Sequence, residues 1–252
     1  MKRLLAALLA LAMVVALAGC SGKAPSGTIT PLNPTEAPTE ASTETPTEAP
    51  TETPTEAPTE APTEATVSLG RMTGGVYENT YAGFACTLDE SWTYYTAAEL
   101  QDLSDLTQEA LQDSALAEQT GKFDNITDMM AESQELLASI NINYTRLSAQ
   151  ERIAFAVATE EQIVDTTLEQ EDTLVQTYAQ MGIDNAQMEK TKVTFLGQEH
   201  TAIHTSASIQ DLPYYILQLF CYNLGGQYYV TITLATFGED NTAALLDLFT
   251  PV

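Results

Sequence analysis

Residues 212–236 read LPYYILQLFCYNLGGQYYVTITLAT. Two alternating runs rich in β-branched and aromatic residues flank Gly225-Gly226, which predicts strands Leu212–Leu224 and Gln227–Thr236 joined by a tight turn. A two-residue loop fixes the register. It sets Cys221 opposite Val230, Leu219 opposite Ile232 and Leu217 opposite Leu234. All six are apolar, so that face belongs to the core. The other face pairs Gln218 with Thr233, Phe220 with Thr231 and Tyr222 with Tyr229.

The period-two pattern extends upstream. Thr191–Leu196 and Gln198–Ile209 predict a second hairpin about Gly197. Downstream, Asp240-Asn241 starts a final helix with the stripe Ala244, Leu245, Leu248 and Phe249. Before the hairpins, apolar residues recur at helical spacing from about Glu160 to Met181, and Gly182 ends that helix. Ser148-Ala-Gln-Glu151 is a capping box opening a short segment to Val157, of which Ile153–Val157 reads as helix or strand. Ile140, Ile142 and Tyr144 alternate with asparagines, so Ser139–Leu147 reads as a strand.

Two helices are expected earlier. One starts at the Thr96-Ala-Ala-Glu99 capping box and ends near Gly121. The other starts at Asn125-Ile-Thr-Asp128 and runs through Met129, Met130, Ala131, Leu136 and Leu137 to about Ala138. Val76–Asn79 and Tyr81–Leu88 read as the first strands after a polar lead-in, and Trp92 plugs the core edge beyond them. Tight turns make adjacent strands antiparallel, so the class is α+β: helices packed on a twisted antiparallel sheet.

A Tyr-x-Asn-x-x-Ala-Gly-Phe strand pair (Tyr77–Phe84) leads to Trp92. The Val193-Thr-Phe-Leu-Gly197 hairpin follows late, and a terminal strand precedes the Leu-Leu-x-x-Phe helix (Leu245–Phe249). This pattern resembles small surface lipoproteins of gut Firmicutes whose domain is similar to the PsbP/Mog1-like α/β/α sandwich. The resemblance covers about Val76 to Phe249. It implies no catalytic residues, and a binding or accessory role.

The amino terminus sets the location. Lys2 and Arg3 precede the apolar run Leu4–Ala16. Its thirteen residues fall short of the about 20 a membrane-spanning helix needs, and they suit a signal peptide. Leu17-Ala18-Gly19-Cys20 then reads as a lipobox. Residues 1–19 are a leader and Cys20 is the site of diacylglyceryl and N-acyl (palmitate) attachment, with two or three chains enough for stable anchoring. The repeat that follows, PTEA PTEA STET PTEA PTET PTEA PTEA PTEA over Pro34–Ala65, has seven prolines and eight glutamates and no large apolar residue. It predicts a disordered, polyproline-biased stalk within residues 20–66. Residues 67–252 form a single globular domain. The expected location is the outer face of a cell membrane.

The chain carries 35 acidic and nine basic residues. Eight of those acids are spacer glutamates and three of the bases precede the domain, so the domain has 27 against six, a formal −21. That excludes nucleic acid and anionic headgroups as partners of the domain. No D-x-D-x-D-G calcium loop, G-x-S-x-G elbow, S-x-x-K, glycine-rich phosphate loop or C-x-x-C occurs. No cofactor or metal is expected. His200 and His204 fall on one strand, about 13 Å apart by strand rise, too far to share an ion.

Cys86 and Cys221 are open to two readings, a disulfide of an exported domain or two buried thiols. Eleven tyrosines include the adjacent pairs Tyr94-Tyr95, Tyr214-Tyr215 and Tyr228-Tyr229. Tyr222 and Tyr229, opposite each other on the second face of the hairpin, are a candidate aromatic shelf for a glycan or peptide; packing under a helix is the alternative. The expectation is a non-enzymatic binding or accessory lipoprotein on a stalk, with a glycan, peptide or envelope protein as partner. A cell-wall- or glycan-directed enzyme and a structural envelope-assembly protein are the alternatives.

Overall fold

The computed structural model describes residues 69–102, 125–222 and 226–252. The leader, Leu17 to Cys20, the repeat and the segment 103–124 lie outside them, as do Asn223 to Gly225 of the second hairpin turn.

Eleven strands among the described residues form two antiparallel sheets. In chain order they are β1 (Arg71–Thr73), β2 (Val76–Asn79), β3 (Phe84–Thr87), β4 (Trp92–Tyr94), β5 (Asn125–Ser133), β6 (Ala138–Arg146), β7 (Asp184–Phe195), β8 (Gln198–Ile209), β9 (Leu212–Tyr222), β10 (Tyr228–Phe237) and β11 (Phe249–Pro251). Helices α1 (Ala149–Val157), α2 (Glu160–Leu168) and α3 (Glu171–Gln180) lie between β6 and β7, and a 3-10 helix, Thr242–Leu248, precedes β11. The large sheet runs β4-β5-β6-β10-β9-β8-β7 and the small one β1-β2-β3-β11. The class is α+β, as the pattern required.

The hairpin register is the one the glycine turn dictates: Cys221 faces Val230, Leu219 faces Ile232, Leu217 faces Leu234, and Tyr222 faces Tyr229. Two-residue turns join β7 to β8 and β8 to β9. Leu196 and Gly197, then Gln210 and Asp211, all take positive φ, the paired left-handed conformation that matches strand twist.

The large sheet is buried on both faces. Leu217, Leu219, Val230, Ile232 and Leu234 pack against Tyr77, Phe84 and Cys86 of the small sheet, Leu245 and Leu246 of the 3-10 helix, and Phe249 of β11. Ile203, Ile216, Phe220 and Tyr229 on the opposite face pack against Phe155, Val164, Leu174 and Tyr178 of the helices. Among the described residues the layers are therefore helices, large sheet, small sheet.

Four expectations are corrected. Asn125–Ser133 is a strand and not a helix. Met129 faces the small sheet and Met130 the helices. A strand buried on both sides shows an unbroken apolar run, which is indistinguishable by periodicity from a buried helix. The helix expected at 160–181 breaks into α2 and α3 at Gln170, whose backbone leaves the helical region (φ −104°, ψ 13°). The terminal helix is a single 3-10 segment, and Phe249 leaves it to pair with Cys86. Arg71–Thr73, expected as irregular lead-in, is an edge strand on β2. Capping boxes form at Ser148 as expected and at Thr159; at Thr96 the reciprocal bonds with Glu99 open a helical segment at 97–102.

Candidate functional site

The tyrosine shelf is covered. Tyr222 and Tyr229 stand opposite each other as alternation requires, but α1 lies over them. The Phe155 ring stacks on Tyr229 at 5.4 Å and 17° and meets Tyr222 edge-on at 5.4 Å. Tyr229 is 1 % exposed. The Ser148 cap fixes where α1 begins, and Phe155 is its one buried residue, so the helix is seated on this aromatic pair. The pair is an anchor for the helix rather than an open platform.

The other adjacent tyrosines divide between faces in the same way. Tyr214 is buried against Phe237, while Tyr215 lies against His204. Tyr228 packs on Tyr144 and its backbone exchanges hydrogen bonds with the Tyr81 hydroxyl.

Each histidine on β8 is held by carboxylates of its own. Glu160, at the start of α2, receives His200 Nδ1 at 2.7 Å and the Thr201 N–H at 3.1 Å. His204 Nε2 lies 2.8 Å from Asp240 Oδ2, and its Nδ1 lies 3.4 Å from Glu189 Oε1. Burial works to raise the Asp240 carboxyl, but hydrogen bonds from Thr242 and the contact with His204 outweigh it and hold the group below its ordinary range. Among the described residues no group of three or more His, Cys, Asp or Glu is placed to hold a metal ion. No helix among them is long and apolar enough to cross a membrane.

Cys86 and Cys221 are free thiols, the first buried and the second half-buried. Burial pushes both up to about 12, far from thiolate character at neutral pH.

A polar network that the sequence reading did not single out fastens the small sheet to the large one. At the β5 bulge the pairing skips from Thr127 to Met129, and the Asp128 side chain turns toward the start of the domain. Its Oδ2 accepts the Gly70 N–H and the Tyr77 hydroxyl, each at 2.6 Å. Asn79 Nδ2 donates to the Tyr77 hydroxyl at 2.9 Å, and Asn79 Oδ1 accepts from Tyr144 at 3.0 Å and from the Ala82 N–H at 2.8 Å. Burial raises the Asp128 carboxyl against the lowering effect of its two hydrogen bonds. Burial, reinforced by the Asp128 charge, raises the Tyr77 and Tyr144 hydroxyls well above the usual tyrosine range. The side chains interlock with one another, and the arrangement reads as a clamp.

The remaining concentration of polar groups is on the helix-facing side of the large sheet. Asn141, Asn143, Gln218, Thr231 and Thr233, all at most 3 % exposed, occupy adjoining positions on β6, β10 and β9. Asn143 Nδ2 donates to Asn141 Oδ1 at 2.6 Å, Thr127 donates to Asn143 Oδ1 at 2.8 Å, and Gln218 Nε2 reaches Thr233 at 3.4 Å. These five carry no ionisable side chain, so the patch offers amide and hydroxyl hydrogen bonds. The alternation of Gln, Thr and Asn with apolar residues was the sequence signal for it, and that signal points equally to a solvent-facing side.

No protein-family model matches the chain, and no curated protein does. Among solved structures it is similar to a Pseudomonas aeruginosa protein of unknown function, at 12 % identity and a TM-score of 0.25, over 39 % of this chain and 58 % of that one. The match thus spans less than two thirds of that protein's length.

Proposed function

We propose that the chain is a lipid-anchored extracytoplasmic protein whose globular domain is a non-enzymatic binding or accessory module carried on a stalk. One observation carries the anchoring: Leu17-Ala18-Gly19-Cys20 follows a thirteen-residue apolar run behind Lys2 and Arg3. Residues 1–19 are removed, Cys20 takes the acyl chains, and the bilayer is the first partner. The spacer from Ser21 to Thr66, with its proline- and glutamate-rich repeat, resists collapse and lifts the domain from the membrane by as much as about 140 Å at full extension. A binding role is supported by the domain's chemistry. Each histidine is engaged by carboxylates beside it, both thiols are held protonated, and the helix-facing patch is neutral and rich in hydrogen-bonding groups.

The domain is further proposed to be PsbP/Mog1-like, on the strength of one large antiparallel sheet with helices packed on a face. It differs in its second layer, where a four-stranded sheet and a 3-10 helix cover the other face among the described residues.

Metabolic labelling with palmitate tests the anchor. Label should enter the wild-type chain and partition with membranes. Cys20→Ala should lose both label and membrane partitioning, and retention of label by that variant would refute the anchor.

A further inference from the structure

The large sheet ends on β7, and among the described residues no strand pairs with its outer side. The other edge strands, β4, β1 and β11, are three residues each, whereas β7 has twelve. The turn sets the direction of its backbone groups. In a two-residue hairpin the residues flanking the loop, here Phe195 and Gln198, exchange both backbone bonds. By alternation Val193, Thr191 and Glu189 bond to β8, while Thr194, Lys192, Lys190 and Met188 turn their N–H and C=O groups outward. Two contacts agree. The Met188 N–H donates to Glu171 Oε1 on α3 at 3.2 Å. The N–H of Thr201, opposite Lys192, points away from β7 and donates to Glu160 at 3.1 Å.

The start of this edge is closed. The pairing shifts between Asp184 and Gln187, and Glu171 takes the Met188 donor; both are ways of blunting an edge. From Lys190 to Thr194 no described residue meets the outward backbone groups. Lysine side chains are a common guard of such an edge. Here both are drawn back over the sheet. Lys190 Nζ lies 2.8 Å from Glu161 and 2.7 Å from Asp165 on α2, and Lys192 Nζ lies 2.8 Å from Thr201 Oγ1 on β8.

An open backbone edge recognises another extended backbone, and side chains select which one. The domain carries a formal −21, so a second copy is repelled and a cationic chain is attracted. The open stretch is also bracketed by acids. Glu189 precedes it, and Glu199 lies opposite Thr194 at its far end, with 74 % and 73 % of their side chains exposed.

We propose that Lys190–Thr194 is a docking edge for an extended, cationic peptide segment of a partner protein, which adds one further strand to the large sheet. The proposal rests on the reading of the domain as a binding module and names its partner class.

The test uses the full lipidated chain in detergent micelles and a fluorescent, end-capped peptide, Lys-Thr-Val-Thr-Val-Thr-Lys, followed by anisotropy. The peptide should bind, and glutamate in place of both lysines should weaken it by roughly tenfold or more. A version N-methylated along its backbone keeps charge and side chains but has no donors for the edge, and it should not bind. Lys192→Pro deletes one outward N–H without touching the ladder to β8. It also removes a positive charge, so plain attraction of a cationic peptide would rise. Affinity should instead fall by roughly tenfold or more while the thermal midpoint stays near that of wild type. Thr194→Pro is read in its place if that variant does not fold. Residue-resolved hydrogen exchange should show the Lys190, Lys192 and Thr194 amides protected in the complex.

The proposal is overturned if the lysine-flanked peptide does not bind, or if the N-methylated or glutamate-flanked version binds equally well. Undiminished affinity in the proline variants, or amides left unprotected, overturns it too, since the peptide then lies elsewhere on an acidic surface. Palmitate labelling is indifferent to all of these, so failure here leaves the anchored-module reading standing on its own test.

Discussion

Phe155→Ala removes the one side chain of α1 that is buried. The ring is 9 % exposed and sits between Tyr229, stacked at 5.4 Å, and Tyr222, edge-on at 5.4 Å. Deleting a buried phenylalanine costs about 3–5 kcal/mol, of which transfer and cavity are the parts. The outer side of α1 is solvent, with Ile153 and Val157 exposed, so the helix is free to settle inward and the lower figure applies, about 3 kcal/mol. The two aromatic pairs contribute about 0.5–1.5 kcal/mol each within that total. A domain of this size loses roughly 2–4 °C per kcal/mol, so the midpoint should fall by about 6–12 °C. Urea unfolding of the full chain, followed by Trp92 fluorescence, reads the free energy, and a thermal scan reads the midpoint. Phe155→Leu should recover about half of the loss, because it restores volume without the ring geometry. A loss below about 1 kcal/mol would refute the reasoning, since the ring would then not be seated and the tyrosine pair would be available as the shelf first considered.

Asp128→Asn tests the clamp through pH. Burial raises the folded carboxyl above its unfolded value, so the folded state binds the proton more tightly and wild-type stability falls as pH rises from the unfolded through the folded value. The amide keeps an acceptor for Gly70 and Tyr77 without the charge. The variant should therefore gain on wild type between pH 4 and pH 7 in urea midpoint; a difference that is constant across that range would sink the argument. Gly70→Ala should destabilise by about 1–3 kcal/mol, because its Cβ would press into the buried Tyr77 ring; an unchanged thermal midpoint would show that the ring yields. Ser148→Ala and Thr159→Ala each remove a capping box and should cost about 1 kcal/mol in urea unfolding, additively since the caps share no partner; a negligible effect at both would show that tertiary packing alone sets these helix ends. The Cys86 thiol, buried and pushed up to about 12, should resist a thiol reagent in the native protein and react in denaturant, and immediate native labelling would contradict its burial.

What was legible in the sequence was local. The β9–β10 register followed from a glycine turn and alternation, both confined to 25 residues. The caps at Thr96 and Ser148 followed from four-residue motifs. What was not legible depended on a second layer. Met129 and Met130 look helical because each faces a different core, and no window of sequence contains both covers. Phe249 looks like the end of a helix stripe because its partner, Cys86, lies far back in the chain. The Asp128 clamp depends on a bulge, a one-residue shift of pairing that leaves no mark in composition.

The two faces of the large sheet carry different kinds of residue, and burial alone does not explain the difference. Toward the small sheet the central positions of β9 and β10 are Leu217, Leu219, Val230, Ile232 and Leu234, the composition of a face that needs only to exclude water. Toward the helices the same strands place Gln218, Thr231 and Thr233 beside Asn141 and Asn143, no less buried. Valine or isoleucine at the threonine positions would keep the shape and avoid the desolvation of the hydroxyl, so packing alone favours an apolar choice. The helix layer on that face is capped at Ser148 and Thr159 and is seated through Phe155 of α1, Val164 of α2 and Leu174 and Tyr178 of α3. An apolar face on one side and a face of mixed polar and apolar residues on the other are both buried, and each anchors its own cover to the sheet.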